Sequence, residues 1–145
     1  MTHIELSEKE FSLRDSMTYL KADTVGAIVF FVGTVRDSPG HELITMEIEA
    51  YEGMYRSSLE DICTRIRDHF PIHDIYIHHR TGSLQVQDSI LLIGVSASHR
   101  KEAYDANKAI LEEIKLRVPI WKKEIFSDGE AWVEGVHADS SQENI

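Results

Sequence analysis

Two continuous apolar runs, VGAIVFFVGTV (residues 25–35) and SILLIGVSAS (residues 89–98), constrain this chain more than any other feature. Each is short, bounded by polar residues and rich in Val, Ile, Leu or Phe, so each reads as a buried strand rather than a helix. The 145 residues fit one domain, residues 1–145. That length buries roughly two thirds of the unfolded surface, so no disulfide or metal staple is required.

The rest of the chain punctuates these strands. SLRDSMTYLKAD (residues 12–23) predicts a first helix capped by Ser12, with Leu13, Met17 and Leu20 on one side. RDSPGHE (residues 36–42) is a loop, and LITMEIEAYEGM (residues 43–54) alternates as a strand. Leu59, Ile62, Cys63 and Ile66 recur at helical spacing until Pro71 stops the helix, after a polar start to the chain that predicts no element. A strand with Ile72, Ile75 and Ile77 runs to a Thr-Gly turn. A helix follows between Ser98, its predicted N-cap, and Val118, with Ala103, Ala106, Ile110 and Ile114 on its core stripe. Beyond Pro119, IWKKEIFSDGEAWVEG predicts a C-terminal hairpin around its Asp-Gly pair. Helices and strands mix without strict alternation, which predicts an α+β fold.

Charge is distributed unevenly. The chain carries a formal net charge of −10, which argues against a general partner for nucleic acid or an anionic membrane. Yet residues 99–123 hold seven Lys/Arg against four Asp/Glu, while the remainder holds eight against 21. A positive island in a negative protein suits a small anionic ligand; a helix surface laced with charge pairs is the competing explanation. The start MTHIELSEKEF lacks the features of a signal peptide, and no apolar run approaches the ~18 residues of a membrane span, so a cytoplasmic protein is expected.

Four places collect groups suited to an anion. Arg36 follows the first apolar strand, and His99 and Arg100 stand in the first turn of the long helix, where free N–H groups already favour an anion. Lys115 precedes the proline bend, and Lys122 and Lys123 follow it. In an extended segment Lys122 and Lys123 point to opposite faces, so at most one shares a site with Lys115. Lys101 and Lys108 are accounted for by solvation. A lysine held near other cations loses some preference for its charged form, which makes Lys115 and Lys122 candidates for more than charge pairing. The eight histidines show no His-x-His pattern, and no metal site is expected. The lone Cys63 lies on an apolar helix face and reads as core. No Gly-rich phosphate loop or dinucleotide fingerprint is present, so no cofactor is expected.

Taken in order, GTVRD, IHHRTGSL, SASHRKEAYDA, IKLRVPIWKKE and DGEAWVE resemble the catalytic large subunit of molybdopterin synthase, the MoaE family. The likeness runs from about Gly26 to Glu134, and KLRVPIWKKE is its most specific piece. The resemblance implies an α/β hammerhead fold and a sulfurtransferase of molybdenum cofactor synthesis. Such an enzyme converts the cyclic pyranopterin monophosphate precursor to molybdopterin, with sulfur from the C-terminal thiocarboxylate of a small ubiquitin-like subunit. It also implies a homodimer of large subunits with one small subunit at each end, a heterotetramer. Matching by motif, Arg36, His99 and Arg100 would bind phosphate and pterin, Lys115 and Lys122 would act at the reacting atoms, and Lys123 and Glu124 would line the pocket. Because the thiocarboxylate brings its own sulfur, no enzyme cysteine is needed. A noncatalytic module that binds an anionic metabolite or a partner's C-terminal tail is the alternative, with no evident use for both lysines.

Overall fold

The strand β6 (Ser89–Ala97) lies inside a four-stranded sheet and is buried almost from end to end, as its continuous apolar run requires. The computed structural model describes residues 1–37, 39–40 and 42–133. In chain order these form β1 (Thr2–Ser7), α1 (Leu13–Leu20), β2 (Ala27–Thr34), β3 (Leu43–Glu49), α2 (Glu52–His69), β4 (Ile75–Arg80), β5 (Gly82–Leu84), β6, α3 (Arg100–Arg117), β7 (Trp121–Phe126) and β8 (Gly129–Val133). The first sheet has the order β1-β4-β6-β2, with β1 and β4 parallel and the other pairs antiparallel. The second has the order β5-β3-β7-β8 and is antiparallel throughout. Three helices and two mostly antiparallel sheets make the fold α+β, closed by the β7–β8 hairpin.

Alternation along β4 shows how the first sheet is covered. Tyr76 and His78 face α1, where Tyr76 meets Tyr19 edge-on, while Ile75, Ile77 and His79 face α2 and join the core with Tyr55, Leu59 and Ile62. Helices on both faces leave no polar side for β6. The helix α3 packs on β2 and β6, and its Asn107 side chain donates to the carbonyls of Val29 (3.0 Å) and Ile93 (2.9 Å).

Several local expectations change in the structure. The polar start forms β1, because pairing with β4 satisfies its backbone and Ile4 enters the core. The run at residues 25–35 gives an edge strand of intermediate burial, with Val32 38% exposed, since β2 is hydrogen-bonded only to β6 among the described residues. The strand expected over residues 43–54 ends at Glu49, and α2 has already begun at Glu52, whose carboxylate suits the positive helix end. Ser12 caps α1 as predicted, accepting from the Asp15 N–H at 3.1 Å, but Leu13 is half exposed and Ser16 takes the buried place. Ser98 is not the cap of α3: His99 is, without a side-chain bond, because the Ser98 hydroxyl donates to the Thr24 carbonyl and meets His73 Nε2 at 3.1 Å.

Two glycines are required by geometry. Gly82 has φ +89 where the chain leaves the first sheet for the second, a left-handed conformation that L side chains resist. Gly26 lies so close to the β6–α3 connection that a Cβ would stand 2.2 Å from the Ser98 carbonyl oxygen. Gly26→Ala therefore lowers stability by about 1–3 kcal/mol, whereas Gly53→Ala, with open space around it, stays within about 0.5 kcal/mol. Asn107→Ala, which strips two buried carbonyls of their donor, costs about 1–3 kcal/mol. Urea unfolding midpoints at unchanged slope check all three.

Candidate functional site

The register of the first sheet sets Leu6, His79, Leu91 and Gly33 in one row across its strands. Three residues past Gly33 the chain reaches Arg36, exposed and held at that end of the sheet by its neighbours. The Val35 N–H donates to the Asp88 carbonyl (2.9 Å), the Gln87 N–H donates to the Val35 carbonyl (2.8 Å), and Asp37 Oδ1 accepts from the Leu43 N–H (3.0 Å).

The two-residue connection from β6 to α3 forces the helix to run back along the sheet, antiparallel to β6 and parallel to β2. Its last turn thus arrives at the Arg36 end. There Lys115 is half-buried between Ile114 and the Val118 cap, whose N–H donates to the Ile114 carbonyl, and the negative helix end favours its charge. Arg117 instead pairs with Glu113 on the surface. His99 and Arg100 are exposed at the opposite end of α3, about 22 Å from Lys115 at 1.5 Å per residue. Within one chain the helix separates these groups.

Beyond Pro119 the chain enters β7. Lys122 stands opposite Ile48 on β3 and Val133 on β8 and is only 5% exposed. Glu124, two residues on, shares that face beside Met46 and Ala131. Lys123 lies on the other face, with Glu47 and Trp132 as cross-strand neighbours, an ion pair to Glu130 at 3.0 Å and its ammonium 5.4 Å from the Trp132 ring centre. The structure thus sets Lys123 apart from Lys122 and Glu124, as alternation along an extended segment requires. Trp121 is 41% exposed and packs edge-on against Tyr51. Lys101 and Lys108 form surface pairs with Asp105 and Glu112, in keeping with a solvated face.

A buried histidine that the sequence did not single out lies close by. His79 faces the core, and its Nδ1 lies 3.0 Å from the Tyr55 hydroxyl. Burial, then the nearby charge of Lys122, then His78, hold its imidazole well below the ordinary histidine value. Its position in an Ile-x-Ile-x-His alternation was the available signal. His78, on the other face, meets the Lys9 carbonyl through Nε2 at 3.1 Å.

A cleft of about 720 Å³ is lined by Glu49, Tyr51, Glu52, Gly82, Trp121 and Trp132 among others, and by none of the predicted site residues. Its carboxylates oppose an anionic ligand. Among the described residues no group of three or more His, Cys, Asp or Glu is arranged to hold a metal ion. No helix among them is long and apolar enough to cross a membrane.

Fold and charge together define an α+β protein in which Arg36 follows β2, Lys115 stands in the last turn of α3 and Lys122 is nearly buried on β7, in an otherwise acidic chain. Residues 6–117 match the model of the MoaE protein family, and the chain belongs to that family. It is 39% identical over 128 residues, 88% of this chain and 86% of the relative, to the molybdopterin synthase catalytic subunit of Pyrococcus abyssi. Its fold resembles the crystal structure of molybdopterin synthase from Staphylococcus aureus, with a TM-score of 0.86, 38% identity and coverage of 90% of this chain and 96% of that one. A more distant likeness in fold, TM-score 0.71 at 20% identity over 92% of this chain and 90% of the other, is to a complex of subunits 1 and 2 of the molybdopterin-converting factor from Helicobacter pylori.

Cys63 is 2% exposed, and burial pushes its thiol up to about 12 although the Arg67 charge opposes the shift. At pH 8 the native protein should therefore leave Cys63 unmodified by a thiol-reactive dye, with stoichiometric labelling only after denaturation. Rapid labelling of the folded protein would reopen a nucleophilic role.

Proposed function

We propose that the chain is a molybdopterin synthase catalytic subunit, a cytoplasmic sulfurtransferase that converts cyclic pyranopterin monophosphate to molybdopterin. Sulfur comes from the C-terminal thiocarboxylate of a small ubiquitin-like subunit. What supports this reading is the return of α3 along the first sheet, which carries Lys115 in its last turn towards the end of β2 that Arg36 follows, together with the nearly buried Lys122 on β7. Both reactants are anions, and bringing them together costs Coulomb repulsion that cations fixed in a partly dry site offset. The thiocarboxylate sulfur attacks a side-chain carbon of the pterin and displaces the oxygen bonded to it, which leaves on the phosphate as the cyclic ester opens or as water; a water molecule then hydrolyses the acyl–sulfur bond, releasing the carrier's carboxylate and leaving the sulfur on the pterin. Lys115 serves as acid/base or captures the acyl group, and Lys122 stabilises the charge that develops during sulfur attack and phosphate opening. Each tail carries one sulfur, so two transfers occur with the intermediate retained.

A homodimer resolves the distance along α3. The outer edge of β2 carries Phe30, Phe31 and Val32 at intermediate or greater exposure. Pairing two such edges about a two-fold axis runs them antiparallel. The Arg36 end of one copy then adjoins the other copy's Ala27 end, next to which its His99 and Arg100 lie. Each site would combine Arg36, Lys115, Lys122 and Glu124 of one chain with His99 and Arg100 of its partner. One small subunit docked at each site makes the heterotetramer.

Incubation with thiocarboxylated small subunit and pterin precursor should yield molybdopterin. Lys115→Ala should cut turnover by at least about 100-fold with the fold retained; near-normal turnover would refute its role, and binding without product would favour a noncatalytic module. Mixing subunits of the inactive variants Arg100→Ala and Lys115→Ala should restore about a quarter of wild-type turnover after random reassociation. No recovery, despite exchange, would place both residues in the same chain's site.

A further inference from the structure

Among the described residues, Gln87 alone of the non-glycines has a left-handed backbone, with φ +80. A residue with a Cβ resists that conformation, so one held in it calls for a physical reason. Gln87 is third in the turn Gln85–Asp88 that joins β5 to β6, closed by the Asp88 N–H donating to the Gln85 carbonyl at 2.9 Å. Val86, second in the turn, is not left-handed. A positive φ at the third position alone marks a type II turn, which ordinarily takes glycine there. The Asp88 side chain secures the turn, its Oδ2 accepting from the Gln85 N–H at 2.8 Å.

What this conformation secures lies at the end of β2. The Gln87 N–H donates to the Val35 carbonyl at 2.8 Å, and the Asp88 carbonyl accepts from the Val35 N–H at 2.9 Å. Both backbone groups of Val35 are thus tied to the turn, and its side chain is buried. Val35 is the residue before Arg36. On the other side of Arg36, Asp37 Oδ1 accepts from the Leu43 N–H at 3.0 Å. Just upstream the ladder is interrupted: Gly33 stands opposite Leu91 and Thr34 opposite Ser89, so Ile90 is an extra residue on β6. Such bulges re-aim the chain that follows. The turn grips it again directly beyond the bulge, and the exposed Arg36 is anchored through both neighbours.

We propose that Gln87 is a positioning residue for Arg36: its left-handed backbone lets the turn grip Val35 and so fixes the point from which the guanidinium reaches an anionic reactant. Order present before a ligand arrives is not lost on binding, so it appears as affinity. Arg36 also has an interaction of its own in the fold; the turn acts through its backbone. The grip on Val35 needs only the fold, whereas its effect on the reactant rests on the proposed function.

The test uses the full-length 15N-labelled protein. Gln87→Val puts a β-branched residue where φ is positive and should break the grip: the Val35 amide should exchange with solvent at least about tenfold faster, and the Arg36 amide should gain fast motion in relaxation measurements. Gln87→Gly, at ease with the same φ, should restore wild-type exchange and mobility. Unchanged Val35 exchange in folded Gln87→Val would overturn the proposal. Should that variant not fold, Asp88→Ala serves, since loss of the Oδ2 acceptor should loosen the turn in the same direction; unchanged Val35 exchange there counts equally against the proposal. In the synthase assay, Gln87→Val should raise KM for the pterin substrate about tenfold at nearly constant kcat, with recovery in Gln87→Gly. Added to Arg36→Ala, Gln87→Val should cause no further loss in kcat/KM, because a residue that acts through Arg36 has no effect without it. A further loss of about tenfold in that background would assign Gln87 a general structural role and overturn the proposal. The amide readouts require no turnover, so an inactive wild type would count against the proposed function and leave this inference to be decided by the spectra.

Discussion

Asn107 reaches from the middle of α3 to the carbonyls of Val29 and Ile93 in two neighbouring strands, and the position of the helix on the first sheet depends on this buried contact. Two donors on one amide fix the helix along its axis, where apolar packing alone tolerates sliding. Ala103, Ala106, Ile110 and Ile114 then fill the interface around it. A shift of one turn would carry Lys115 about 5.4 Å from its place beside the Arg36 loop. The same contact sets where the chain passes Val118 and Pro119 and enters β7, and so where Lys122 enters the interior.

Electrostatics acts on that frame at two ranges. The acidic surface repels polyanions in general, while the cations at one sheet end form a local field of opposite sign that salt screens less where the side chains are buried. Lys122 is the extreme case, nearly buried and interacting with a histidine that burial keeps neutral. Lys123, one residue later, makes surface pairs with Glu130 and Trp132. The contrast arises from nothing more than the two-residue period of a strand.

Much of the fold was legible because its signals are local. The apolar run of β6, the stripe of α3, the Ser12 cap and the β7–β8 hairpin each follow from a few neighbouring side chains. The misses were residues whose state depends on distant partners. Polar residues 2–7 become β1 only because β4 offers an edge, and Ser98 leaves its capping role because Thr24 and His73 lie within reach. The likeness in sequence to the MoaE family marked the cationic residues, but their grouping could not be read from spacing, since a helix 18 residues long stands between His99 and Lys115.

By itself the sequence determined the strand β6, the helix α3 and the β7–β8 hairpin, the opposite facing of Lys122 and Lys123, and the concentration of positive charge in residues 99–123, because each depends on backbone period and composition alone. Only the tertiary structure decided that α3 runs back along the first sheet with Lys115 and Arg100 at its opposite ends, and that Lys122 is nearly buried where its charge acts on the buried His79. The reason is that these placements follow from strand order and the direction of α3, which long-range pairing and packing settle and no local signal encodes.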